Sequence, residues 1–189
     1  MKLKDFKLYL FLTAIALSSW ILVELTGGEM ISRLSVSPPH SPDYFSVGYT
    51  KWEMDTDGRE KNKLIADKMT HYSDDGTTHL EKPVMVFLND KTPPWVIKSQ
   101  SGILSADGKV LQLHGKVWVE RAEAPGVKRV IINTSNVTVN PDTSYAETKE
   151  WAELISPPNK TTGVGMKLVF KEPIHLQLLA DVKGKYETK

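Results

Sequence analysis

Lys109-Val110-Leu111-Gln112-Leu113-His114-Gly115-Lys116-Val117-Trp118-Val119-Glu120 decides the fold class. Leu111, Leu113, Gly115, Val117 and Val119 occupy alternate positions, with Val110, Gln112, His114, Lys116 and Trp118 between them. Successive side chains of a strand point to opposite faces, so the stretch is a strand with one buried face and one wet face. A helical period would mix the two sets. Gly115 breaks the apolar row, as a bend or as a place of close backbone approach.

Segments of the same kind fill the chain from residue 44 onward. Strands are expected over 44–54, 61–71, 77–80, 83–88, 95–99, 102–105, 129–133, 136–140, 165–171 and 173–186, with 146–155 the hardest stretch to assign. Turn signals separate them: Asp55-Thr56-Asp57-Gly58, Ser73-Asp74-Asp75-Gly76, Ala106-Asp107-Gly108, Ala124-Pro125-Gly126 and Pro141-Asp142-Thr143. Ser156-Pro157-Pro158-Asn159 and Thr161-Thr162-Gly163 read as a longer loop. No segment beyond the N-terminal region carries a helical period. Many short strands at this spacing imply an all-β sandwich or barrel.

The N-terminal region is different. Lys2, Lys4 and Lys7 stand against Asp5, and 8–23 then runs without a charge. A basic flank before an apolar run stays on the cytoplasmic side, which sends the rest of the chain across the membrane. The expected organisation is a cytoplasmic tail over 1–7, a transmembrane helix over 8–25, a linker over 26–43 and a β domain over 44–189. Ala16-Leu17-Ser18 also fits a signal-peptide cleavage site. The apolar run continues past it through Trp20, Ile21, Leu22 and Val23, which favours the anchor. The linker is rich in Gly, Ser and Pro, from Gly27 and Gly28 to Pro38, Pro39 and Pro42.

Composition excludes several functions. The 189 residues suit one domain with an appendage. Lys plus Arg is 24 and Asp plus Glu 23, a net charge of +1 that gives no case for nucleic acid. The absence of cysteine removes disulfides, thiolate metal sites, thiol nucleophiles and an N-terminal lipid on Cys. No zinc-protease, nucleophile-elbow or phosphate-loop motif occurs, and His40, His71, His79, His114 and His175 stand apart. Neither an enzyme nor a cofactor is expected. A hydrolase would need an acid and a base brought together, and no such pair is visible. Asp55 with Asp57, and Asp74 with Asp75, read as turn chemistry, and Lys128-Arg129 as a strand flank.

The remaining feature is an aliphatic interior face: Leu64, Val84, Val86, Ile97, Leu111, Leu113, Val117, Val119, Val137, Val139, Met166, Leu168, Phe170 and Leu176. Two readings fit it equally. It is a closed core, or the lining of two splayed sheets that admit acyl chains.

Longer motifs carry a resemblance. In order they are Lys63-Leu64-Ile65-Ala66-Asp67, His71-Tyr72-Ser73-Asp74, Lys82-Pro83-Val84, Pro94-Trp95-Val96-Ile97-Lys98, Leu111-Gln112-Leu113-His114-Gly115-Lys116-Val117, Thr134-Ser135-Asn136-Val137-Thr138-Val139, Ala146-Glu147-Thr148, Gly163-Val164-Gly165-Met166 and Val182-Lys183-Gly184-Lys185-Tyr186. With the short anchor, this ordered set resembles the LptC family of lipopolysaccharide export proteins. The resemblance implies a twisted β-jellyroll of two facing antiparallel sheets, held in the periplasm by a single inner-membrane span. It implies that lipopolysaccharide arrives from an inner-membrane ABC transporter (LptB, LptF and LptG) and leaves to LptA, its acyl chains held by the interior residues named above. The first strand would face the transporter and the last, with Ile174, Leu178 and Tyr186, would face LptA. Gly58 and Gly163 match glycines on which function depends in that family, and each also reads as a turn glycine with positive φ. The alternative is a membrane-anchored structural adaptor that docks partner jellyrolls without contacting lipid.

Overall fold

A computed structural model describes residues 3–34 and 40–186, with side chains of the helical region described for 9–25. The chain forms two units, residues 1–40 and 41–189.

Among its described residues the first unit has one helix, α1 (Leu3–Leu34). It runs through Gly27 and Gly28, past the point at which the linker was expected to begin. Each glycine costs a helix about 1 kcal/mol relative to alanine, and Glu29-Met30-Ile31 beyond them are residues a helix accepts readily. The part of the linker over 35–39 lies outside the described residues, as do Met1 and Lys2 of the tail. Every side chain described on α1 is exposed, including Phe11, Leu17, Trp20 and Leu25. Thr13 and Ser18 donate their hydroxyls to the carbonyls of Leu10 and Ile15 at 3.0 and 2.9 Å, so these polar groups are satisfied within the helix. Among the described residues no helix is long and apolar enough to cross a membrane. The expected span over 8–25 begins one residue before the side chains described.

The second unit is all β. β1 (Pro42–Met54) and β2 (Glu60–Tyr72) form the first hairpin. β3 (Thr78–Glu81) and β4 (Val84–Phe87) both pair with β2 on one side and β5 (Trp95–Leu104) on the other. β6 (Leu111–Arg121), β7 (Val130–Asn140), β8 (Tyr145–Ser156), β9 (Asn159–Val169) and β10 (His175–Lys185) follow as a meander. All ten strands lie in one antiparallel sheet, ordered as in the sequence, with β1 and β10 at its edges. The two sheets expected from the resemblance are thus one hydrogen-bonded sheet.

That sheet is creased. Register shifts interrupt each successive pairing from β5 to β10: at Ser99/Ser101, Leu113/Lys116, Asn133/Thr138, Thr148/Trp151 and Ala180/Lys183. Each bulge bends its strand and increases the local twist. Gly115 is one of them, with φ +74° and no atom near its Cβ position, so the break in the opening stretch is a bend rather than a close approach. The bulges also merge segments that read as separate. The expected strands 95–99 and 102–105 are the two halves of β5, and 129–133 and 136–140 are the two halves of β7. The loop expected around residue 160 is shorter than its composition suggests: Ser156 pairs with Asn159 directly across Pro157-Pro158.

Folding about the crease brings the first strands against the last. Phe87 of β4 stacks on Phe170, just after β9, with centroids 4.5 Å apart, and Trp95 meets the same ring edge-on at 5.6 Å. Lys61 Nζ donates to the Asp142 carbonyl at 2.8 Å across the same seam. The core is therefore continuous from Leu64 and Ala66 of β2 to Met166 and Leu168 of β9.

The hairpin turns carry a pH signature. The Asp55 carboxylate accepts from the Asp57 and Arg59 amides, both at 2.9 Å. The Arg59 amide above all, with the Asp57 amide and the Arg59 side chain, holds Asp55 below the usual carboxylate range. The Ser105 hydroxyl, then the Lys109 amide, does the same to Asp107. A depressed folded-state pKa adds stability that is complete above the unfolded value, 3.8, and is lost as pH falls through the folded value. The urea midpoint should therefore change little from about pH 7 to about pH 5 on account of these two groups and fall below about pH 4. Asp55→Asn with Asp107→Asn should lower the midpoint at neutral pH and flatten its acid limb. An unchanged acid limb in the double variant would rule these turns out as its source.

Candidate functional site

The aliphatic face lies inside the sheet. Leu64, Ile97, Leu111, Leu113, Val117, Val119, Val137, Val139, Met166, Leu168 and Phe170 are all buried. Leu176 is half-buried at the margin of this core. Val84 and Val86 are a correction. They are half-buried on the opposite face, and Met85 and Phe87 point inward. The run Val84-Met85-Val86-Phe87-Leu88 is apolar throughout, so no alternation marks its inner side, and a slip of one residue exchanges the faces. The register that buries Met85 and Phe87 removes more apolar surface from water. Reading the interior as almost wholly aliphatic also missed Trp95, 1% exposed, whose position directly after Pro93-Pro94 marks the start of a strand.

Ile97, Leu111, Ile132, Val139 and Leu168 have no exposed surface at all. Those side chains touch no space that a water molecule can enter. In this state an acyl chain reaches them only if the sheet opens.

The two edges are built the other way. β1 is exposed along most of its length, with Phe45 67% and Val47 75% open to solvent. At the far side Ile174, Leu176 and Leu178 lean on the core, while Leu179, Val182 and Tyr186 are exposed. Each edge strand thus combines a row of backbone groups open to a further strand with apolar side chains in water.

The two glycines have different jobs. Gly58 closes the β1–β2 turn with φ +78°, its amide donating to the Asp55 carbonyl at 3.1 Å. Gly163 departs from expectation. It is not in a loop and does not have a positive φ; it is buried within β9, opposite Ala152 of β8. A Cβ there would stand 3.1 Å from both the Ala180 carbonyl oxygen and the Leu178 Cβ of β10. The neighbouring Gly165 is the residue with positive φ, +72°.

Polar groups of the β unit are mostly structural. His71 Nδ1 lies 3.1 Å from the Thr78 hydroxyl and the ring stacks on Tyr44. His114 is exposed on β6. Arg129 closes on Glu120 through Nε at 2.8 Å, the strand-flank role expected of it. The Arg121 guanidinium lies 4.9 Å from the Trp95 ring centroid, and burial pushes its pKa down.

Three comparisons bear on this arrangement. The family model described as "Lipopolysaccharide-assembly, LptC-related" matches residues 11–187. No curated protein sequence matches the chain. Among solved structures the fold is similar to LptH of Pseudomonas aeruginosa, described as the LptA homologous periplasmic component of the conserved lipopolysaccharide transport device. The TM-score is 0.52 at 10% identity, over 67% of this chain and 95% of that one.

Proposed function

The chain belongs to the LptC family, and from that premise we propose that it is the inner-membrane-anchored station through which lipopolysaccharide passes from its ABC transporter to LptA. The observation that carries this reading is the pair of open, apolar sheet edges on either side of one continuous β domain. A strand of another protein adds to such an edge through main-chain hydrogen bonds. β1 docks the transporter, formed by LptB, LptF and LptG, and β10 with Tyr186 docks LptA. The sheets of successive proteins then join end to end, and the resemblance to a LptA homologue supports the match of folds.

The uncharged run over 8–23 within α1 supports anchoring. A helix that is apolar on every side has no face to leave in water and is stable inside a membrane. Thr13 and Ser18 fit this because their hydroxyls already bond to the helix backbone. The span is 8–25, with the basic tail cytoplasmic and the β unit periplasmic.

The chain catalyses nothing in this reading. Leu64, Ile97, Leu111, Leu113, Val117, Val119, Val137, Val139, Met166, Leu168, Phe170 and Leu176 form a wall that holds acyl chains without directional bonds. The inner-membrane ATPase supplies the energy. The closed interior means that docking at an edge must also part the sheet.

That closed interior equally favours a second reading, an adaptor that docks partners and never touches lipid. Photo-reactive residues at Leu113 and at Val182 separate the two. During ATP-driven export, lipopolysaccharide adducts should form at Leu113, with LptA adducts at Val182. LptA adducts at Val182 without any lipid adduct at Leu113 would leave only the adaptor.

A further inference from the structure

The crease leaves a groove on the outer face of the sheet, opposite the interior. It crosses β5 to β8 and holds about 640 Å³. Register aligns Lys98, Trp118, Asn133 and Glu153 as one outward row across the four strands. Trp151 stands on the same strand as Glu153, at the bulge, where the pairing of β8 with β9 shifts between Thr148 and Trp151. Strands are spaced about 4.8 Å apart and rise about 3.3 Å per residue, so Trp118 and Trp151, two strands across and two residues along, flank the groove at about 12 Å.

The backbone beneath is fixed from several sides. The Thr134 hydroxyl donates to the Trp151 carbonyl at 2.9 Å. The Thr148 hydroxyl donates to the Ser135 carbonyl at 2.8 Å and accepts from the Glu150 amide at 3.1 Å. On the neighbouring bulge, the Gly115 amide donates to Asn136 Oδ1 at 3.0 Å. Yet Trp151, whose carbonyl is so held, leaves 51% of its surface in water. Bulges often re-aim a side chain beside a functional site. Here they hold a large aromatic ring open at the lip of a cavity.

The chemistry of the lining selects the occupant. Lys98 and Lys116 balance Glu150 and Glu153, so the groove has no net charge to offer a phosphate. Lys98 Nζ lies 5.1 Å from the Trp118 ring centroid. Glu153 is engaged by Lys160 and accepts from Asn133 Nδ2 at 2.9 Å, and those contacts hold its carboxyl in the ionised form. What remains is an open indole with amides, hydroxyls and carboxylates around it. A pyranose fits that set, with apolar C–H groups on one face and hydroxyl donors and acceptors on its rim.

We propose that this outer groove binds a neutral sugar segment of lipopolysaccharide, with Trp151 as its stacking surface and Trp118 as the facing wall. The proposal rests on the transport reading and divides its cargo: acyl chains travel inside the sheet while saccharide is held outside it. Because the groove crosses the crease, opening the sheet changes its shape, and sugar and acyl chain report on the same movement.

The test uses the full chain in a sugar-free detergent, labelled with ¹⁵N at its tryptophan indoles, and lipid-free core oligosaccharide from lipopolysaccharide as the probe. The Trp118 and Trp151 signals should shift on titration while that of buried Trp95 stays still. Trp151→Ala should weaken binding about tenfold, and Trp151→Phe should recover most of it. Because Trp151 is exposed, both variants should keep the wild-type circular dichroism. An absence of shifts, equal shifts at Trp95, unchanged binding by Trp151→Ala, or tighter binding of peptidoglycan glycan fragments overturns the proposal. Lipid adducts at Leu113 report on the conduit separately. Adducts without sugar binding sink the groove and leave the conduit standing; sugar binding without adducts does the reverse.

Discussion

Phe170→Ala should lower the stability of the β unit by about 3–5 kcal/mol, read as a drop in the urea midpoint at unchanged slope. Phe170 is 1% exposed and lies just beyond the end of β9. Its ring fills the seam where the folded sheet meets itself, stacked on Phe87 and edge-on to Trp95. The backbone at this point is held by the hydrogen bond that the Phe170 amide donates to the Ser144 carbonyl at 2.8 Å, so the chain has little freedom to collapse into the void. Cavity cost is highest where collapse is blocked, and the lost ring contacts add to it. A domain of this size holds about 5–15 kcal/mol in all, so the variant loses a large share of its margin. A loss below about 1 kcal/mol would mean that the two halves of the sheet do not depend on this seam. If lipid passes inside, the same substitution should loosen the closed interior. Adduct formation at Leu113 should then rise relative to the protein that remains folded.

What the sequence shows of this fold depends on where period two survives. In β6 the inward set is legible because the bulge at Gly115 preserves parity: Leu113 and Val117 are both inward, four residues apart. In β7 the inward residues are Thr134 and Val137, three apart, and the change of parity made one strand look like two. In β4 there is no alternation, so Val84 and Val86 were assigned to the wrong side. The aromatic seam of Phe87, Trp95 and Phe170 brings together strands distant in sequence, and no local pattern announces such a meeting. The edges were legible for a different reason. They are the first and last strands of a meander, and sequence order alone puts them at the margins. The outer groove was invisible because its Trp118 and Trp151 lie on strands separated by all of β7, and only register makes them neighbours.

Gly163→Val should cost about 1–3 kcal/mol globally, but its larger effect should be on β10 alone. Gly163 lies between Thr162 and Val164, which pair with Lys183 and Ala180 on either side of the shift in the edge strand. Asp181 within that shift has φ +50° and Gly163 leaves the space into which the bulged backbone settles. A Cβ would meet the Ala180 carbonyl oxygen and the Leu178 Cβ, both at 3.1 Å, and a backbone oxygen does not rotate away as a side-chain tip would. Valine adds two methyl groups to that contact. The neighbour on the other side, β8, is held between β7 and β9, whereas among the described residues β10 has no further strand beyond it. The strain is therefore relieved by displacing β10. Its amides should exchange with solvent much faster while those of β6 and β7 keep their protection. A docking site made of that edge should go with it: LptA adducts at Val182 should be lost while transporter adducts at Val47 on β1 persist. Gly163→Ala should show the same pattern more weakly, since one methyl asks the neighbour to give by only a few tenths of an ångström. Slow exchange along β10 in the valine variant would show that the edge absorbs the side chain. Loss of adducts at both edges would show instead that the whole sheet has been disturbed, and the two edges would not be separable docking sites.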